Sequence, residues 1–254
     1  MWTAACPDTS YVYDGSFAGL LCCFSESCTL QETPVDIRQT DAEPVLFDTA
    51  KWILTDKEKA EKVYLSIRVK ISRQAQELVR LGFLTCTPRK EMLLCEFLRL
   101  GFRYGAKATT MLTDDSVADL TKAVRHLTNE SHKLMGFVRF SVYDNFLVSV
   151  IEPKNFVLPL LAGHFCNRFS DETFMIYDQT HKAALVWQNR KADILSVEAL
   201  TLPDADSDEL AYRGLWQQFY KTIAVQTREN PRCRMTLMPK RYWGHLTEQI
   251  VMLS

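Results

Sequence analysis

Gly136-Phe137-Val138-Arg139-Phe140-Ser141-Val142 and Phe146-Leu147-Val148-Ser149-Val150-Ile151 mark the point at which this chain changes its apolar period. Upstream, apolar residues recur three and four positions apart; here they alternate, and a period of two suits a strand with one buried face. Asp144-Asn145 supplies turn chemistry between the runs, so the pair reads as an antiparallel hairpin. Further on, Thr173 to Tyr177 and Ala183 to Trp187 read as a second hairpin around Asp178 to Lys182, with Ile194 to Val197 as a further strand. Phe156 to Phe169 reads as a short helix between the hairpins, with Pro159 near its start.

The stretch before Gly136 is read mostly as helix. Tyr11-Val12-Tyr13 reads as a short strand ended by Asp14-Gly15, and Phe17, Leu20, Leu21 and Phe24 follow at helical spacing. Glu32 to Phe47 is polar and broken by Pro34 and Pro44, which predicts a loop or short strands. Thr55-Asp56-Lys57-Glu58 matches a capping box with Thr55 as the cap, opening a helix through Ala60, Val63, Tyr64, Ile67 and Ile71. Helical runs continue through Ala75 to Leu81, through Met92 to Leu98, and from Asp114 or Asp115 to about Leu134. At the other end, a helix opened by Pro203 has Leu210, Leu215, Trp216, Phe219, Ile223 and Ala224 as its apolar positions, with Trp216, Phe219 and Ile223 at core spacing, and Pro231 stops it.

Helices, then strands, then a helix predict an α+β fold. The expected form is a largely antiparallel sheet with a helical N-terminal half and a C-terminal helix packed on the sheet. It is expected as one domain over 1–254, with a helical insertion at about 55–135; a division, if there is one, falls near Gly136. No internal repeat or low-complexity tract is present.

Composition is that of a soluble globular protein, with no apolar run near the roughly 20 residues that cross a bilayer. Met1 to Cys6 lacks the basic start and apolar core of a secretory signal, which points to the cytoplasm. The eight cysteines contain no C-x-x-C pair, and reduced core thiols with no metal or other cofactor are expected.

Charge is more informative than its total of -1, because it is segregated. Residues 1–50 carry eight acids against Arg38, a balance of -7; residues 62–107 carry ten bases against Glu77, Glu91 and Glu96, a balance of +7. From Ala211 to His245 there are seven bases against Glu229, interleaved with Trp216, Phe219, Tyr220, Tyr242 and Trp243. Cationic groups beside flat rings suit a phosphate backbone with unstacked bases.

Several ordered motifs resemble a bacterial family of unassigned function. They are Tyr13-Asp14-Gly15-Ser16-Phe17, Glu130-Ser131-His132-Lys133, Glu152-Pro153, Leu158 to Ala162, His164-Phe165, Arg168-Phe169, Ile176-Tyr177-Asp178, Asn230-Pro231 and Met238-Pro239-Lys240-Arg241-Tyr242-Trp243. The family is described as DNA metabolism proteins, accompanies a radical-SAM protein of DNA modification or repair, and has related domains fused to uracil-DNA-glycosylase-like proteins. The resemblance runs from about Tyr11 to Glu248 and implies a DNA context without a reaction. Family members often carry a second basic residue after Asp178; here the stretch is Gln179-Thr180-His181-Lys182.

Arg139, Arg168, Arg228, Lys240, Arg241, Tyr242 and Trp243 are the candidate nucleic-acid contacts, the last five in a segment expected to lack regular structure. Trp243 is equally suited to plugging the core. His132, His164 and Asp178 are the weaker, catalytic candidates. His132 is either an acid–base group or a helix C-terminal residue offsetting the dipole. His164 and Arg168, four apart, share a helix face; with Asp178 they form either a structural network or an active site. Three functions follow as expectations: a DNA-binding accessory of a radical-SAM partner, an enzyme acting on damaged or modified DNA bases or ends, or a protein-only scaffold for that partner.

Overall fold

The computed structural model describes residues 9–40, 49–143, 146–200, 207–223 and 231–246. The chain divides into two compact units, Met1–His126 and Leu127–Ser254, with the boundary inside one long helix and upstream of Gly136.

The first unit contains β1 (Thr9–Tyr13), α1 (Phe17–Leu30), β2 (Asp36–Gln39), β3 (Thr49–Trp52), α2 (Lys57–Lys70), α3 (Arg73–Phe83), α4 (Lys90–Tyr104), a 3-10 helix at Gly105–Thr110 and the start of α5 (Asp115–Phe137). Its sheet has the order β2-β1-β3, and both pairings are parallel. The helical N-terminal half expected from periodicity is therefore corrected: a parallel sheet opens it. A strand followed by a helix and an adjacent strand has to cross over, and the crossover makes the pair parallel. β2 is a short strand within Glu32 to Phe47, one of the two forms expected there, and its Ile37 is buried.

Tyr11, Tyr13, Leu20, Leu21, Phe24, Ile67, Val79, Phe97, Leu98 and Leu120 belong to one core. Each large side chain buried there contributes about 1.5–3 kcal/mol. Thus α2, α3 and α4, read from sequence as part of an insertion, share a core with β1 and α1. The capping box is also corrected. Asp56, not Thr55, caps α2 by accepting from Lys59 N at 3.1 Å. Thr55 Oγ1 instead donates to Asp14 Oδ2 at 2.8 Å. Gly19 permits this approach: a Cβ there would overlap Asp14 Oδ1 and lie 2.8 Å from Thr55 Oγ1.

The second unit contains the rest of α5, β4 (Ser141–Tyr143), β5 (Phe146–Ile151), α6 (Leu158–Arg168), β6 (Phe174–Asp178), β7 (Ala183–Gln188), β8 (Lys191–Ser196), α7 (Ser207–Ile223), α8 (Pro231–Leu237) and a 3-10 helix at Lys240–His245. Its strand order is β4-β5-β6-β7-β8. Pairing is antiparallel except between β5 and β6, which run parallel because α6 carries the chain across. With three of the six pairings among the described residues parallel, the fold is α+β but its sheets are not largely antiparallel.

Phe137 remains in α5, and the strand expected from it begins only at Ser141. Phe140 is instead inserted among Phe165, Phe169 and Phe174, with ring centroids 5.1–5.7 Å away. α6 packs on the sheet, against β7 and β8. The turn at Asp144-Asn145 lies outside the described residues. Among the described residues, no helix is long and apolar enough to cross a membrane.

Candidate nucleic-acid interface

The segment expected to be irregular is ordered by a buried carboxylate. Pro239 leads into the 3-10 helix at Lys240–His245, where Tyr242 and Trp243 are 4% and 7% exposed. Trp243 Nε1 donates to Met238 O at 3.0 Å, and the Tyr242 ring packs 5.5 Å from Phe137. Glu130, on α5, is 3% exposed and accepts from five donors. They are Lys154 N at 3.1 Å, Asn155 N at 2.9 Å, Asn155 Nδ2 at 2.6 Å, Tyr242 OH at 3.1 Å and Arg241 Nη2 at 2.8 Å. Arg241 also donates to Tyr242 OH and lies over that ring, 4.6 Å from its centroid.

Burial alone would raise the Glu130 carboxyl. Hydrogen bonds from Asn155 and Lys154, with the Arg241 charge, outweigh it and hold the group below the ordinary carboxylate range. Tyr242 moves the other way: burial, reinforced by the Glu130 charge, pushes its phenol up to about 12. Arg241, Tyr242 and Trp243 are therefore parts of a lock that fastens the C-terminal segment to α5 and the β5–α6 loop. Of these sequence candidates for nucleic-acid contact, the two rings are buried and the Arg241 guanidinium is paired with Glu130.

Exposed rings lie elsewhere. Tyr212 and Trp216, four apart on α7, are 69% and 41% exposed, with Leu215 at 61%. Core spacing predicted that Trp216, Phe219 and Ile223 pack inward; the side chains of Phe219 and Ile223 lie outside the described residues. α7 is held by a polar clamp to β4. Buried Glu209 accepts from Arg213 Nε at 2.7 Å and from Val142 N at 3.3 Å, while Arg213 Nη2 donates to Ser141 Oγ at 2.8 Å. Burial would raise the Glu209 carboxyl, but the bonds from Ser141, Arg213 and Val142 lower it on balance. This clamp turns one side of α7 to the strand and leaves Tyr212 and Leu215 facing outward, with Trp216 at the margin.

Arg139 comes to that margin. Its Nη1 donates to Gly136 O at 2.8 Å and Val138 O at 3.2 Å, satisfying carbonyls at the end of α5, and its guanidinium lies 5.9 Å from the Trp216 centroid. The arrangement is a cation beside Trp216 on an anchored helix that exposes Tyr212 four residues earlier. Arg139 is a candidate from the sequence and Tyr212 is not, although its four-residue spacing to Trp216 was legible there.

No hydrogen bond or ion pair joins the remaining candidates to one another among the described residues. His132 is exposed on α5, and Lys240 is exposed with its Nζ 5.9 Å from the Trp243 ring. Arg168 is exposed at the end of α6 over Phe169, 5.7 Å from its centroid. Arg228 lies outside the described residues. His164 Nε2 is buried with no hydrogen-bond partner among the described residues. Asp178, fully buried, bonds to neither His164 nor Arg168 but accepts from His181 N at 3.1 Å and contacts His181 Nδ1 at 2.7 Å. The proposed His164–Arg168–Asp178 cluster is thus replaced by a clamp across the β6–β7 turn. Among the described residues, no group of three His, Cys, Asp or Glu is placed to hold a metal ion.

A protein-family model described as a domain of unknown function, DUF4130, matches residues 88–248. This is more than half of the 254-residue chain, and the chain belongs to that family. Neither a curated protein nor a solved structure gives a significant match. The matched region includes the Glu130 lock and the α7 surface.

Proposed function

We propose that this protein is a DNA-binding accessory in DNA repair or modification, acting with a radical-SAM partner, and that it holds unstacked bases on α7. The observation behind this reading is the pair of exposed rings, Tyr212 and Trp216, with Arg139 beside Trp216. Aromatic faces accept any base by stacking, and a neighbouring guanidinium adds attraction for the backbone. The DNA context and the radical-SAM partner come from the family resemblance alone. The purified protein is expected to bind a fluorescent 20-mer oligothymidylate at micromolar concentration or tighter, weakening steeply as salt rises. Absence of binding at low salt, with the radical-SAM protein still co-purifying without DNA, favours the protein-only scaffold instead.

A second reading, an enzyme acting on damaged bases or strand ends, has the Asp178–His181 contact behind it. A buried carboxylate on Nδ1 orients an imidazole for acid–base work through its other nitrogen. Incubation with oligonucleotides carrying uracil or another modified base tests it: product formation abolished by His181→Asn supports catalysis. No product over hours from the unaltered protein rejects it for those substrates.

A further inference from the structure

The strongly basic stretch 62–107 is left unused by the α7 surface, and its geometry gathers charge at one end of the first unit. Ile71, the residue that ends α2, packs against Gly101 of α4; a Cβ on Gly101 would overlap the Ile71 side chain. This close approach brings the C-terminal turns of both helices together. Lys70 Nζ lies 5.8 Å from the Phe102 ring centroid, and the Lys70 carbonyl faces Gly105. Gly105, at φ +64, turns the chain out of α4 into the short 3-10 helix that carries Lys107. Arg103 lies over Tyr104, 5.2 Å from its centroid, and that ring is 44% exposed.

Arg68, Lys70, Arg103 and Lys107 are all exposed, and none forms an ion pair among the described residues. The three acids of the stretch lie at other places in the unit. Glu77 pairs with Arg80 at 2.6 Å, Glu91 is buried and accepts from Tyr13 OH, and Glu96 lines the groove between α4 and α5. Cations in a last helical turn offset the helix dipole. That role does not require cations from α2, α4 and the 3-10 helix at one end, nor an exposed ring among them.

We propose that this end of the first unit is a second polyanion-contact surface, gripping phosphodiester groups of a nucleic-acid strand through Lys70, Arg103 and Lys107, with Tyr104 available for stacking. It rests on the reading of the protein as a nucleic-acid binder, but not on α7 being the place where bases stack. The full chain carrying Lys70→Ala, Arg103→Ala and Lys107→Ala tests it, because all three side chains are exposed. Binding of a fluorescent 30-mer oligothymidylate is measured from 50 to 300 mM salt, beside Trp216→Ala and beside phosphatidylserine vesicles.

The triple variant is expected to lose about tenfold in affinity at low salt, with the slope of log K against log salt shallower by about 2, near 0.7 per phosphate contact. Trp216→Ala is expected to lose affinity with its slope retained. Loss in the triple variant together with a neutral Trp216→Ala removes the α7 reading and leaves this surface standing. Unchanged affinity and slope in the triple variant overturn the proposal. So does a protein that binds the vesicles through these three residues and ignores the oligonucleotide.

Discussion

Replacing Glu130 by Ala is expected to lower the stability of the second unit by about 3–5 kcal/mol, the penalty for breaking a buried charged network from one side. The loss comes from what remains. The Asn155 N–H and amide, the Lys154 N–H, the Tyr242 hydroxyl and the Arg241 guanidinium all donate to this one carboxylate. Without it, the buried donors keep their desolvation penalty and receive nothing in return. Urea denaturation measures the difference; a variant as stable as the parent contradicts the lock.

The pH dependence has a definite sign. The folded-state pKa of Glu130 is depressed, so the carboxylate's contribution is present above the unfolded value of about 4.3 and is lost as pH falls through the folded value. The stability gap between parent and Glu130→Ala is therefore expected to close on acidification and to stay constant between pH 6 and 8.

Trp216→Ala is expected to weaken binding of single-stranded oligonucleotide by about tenfold or more, since stacking of one base on an aromatic ring contributes about 1–3 kcal/mol. Because Trp216 is 41% exposed at the margin of α7, the melting temperature is expected to change little. Trp243→Ala supplies the contrast. That ring is 7% exposed and bonded to Met238 O, so its removal lowers stability by about 3–5 kcal/mol through the cavity it leaves. Binding lost with Trp243→Ala follows from unfolding; binding lost with Trp216→Ala does not.

Periodicity recovered most elements of the second unit and missed the direction of one pairing. β5 and β6 were both legible as alternating runs, and α6 between them was legible as a helix. Together these require a crossover, yet each strand was assigned to a separate hairpin with its nearest sequence neighbour. β2 was harder, because Asp36-Ile37-Arg38-Gln39 has only one buried apolar residue, and its place beside β1 is set by long-range pairing. The charge count correctly identified cations and rings near the C-terminus but could not tell a paired guanidinium from a free one. Arg241 and Tyr242 looked like a surface until Glu130, more than a hundred positions away, proved to be their partner. Conversely, Trp216 looked like core because helical spacing reports a shared face and not which side of the helix the neighbours cover.

Photocrosslinking locates the nucleic acid directly. An oligothymidylate containing 5-iodouracil is irradiated with the protein, and the modified peptides are sequenced by mass spectrometry. The α7 account predicts adducts on Tyr212 or Trp216. Adducts confined to residues 238–246, with none on α7, would contradict it.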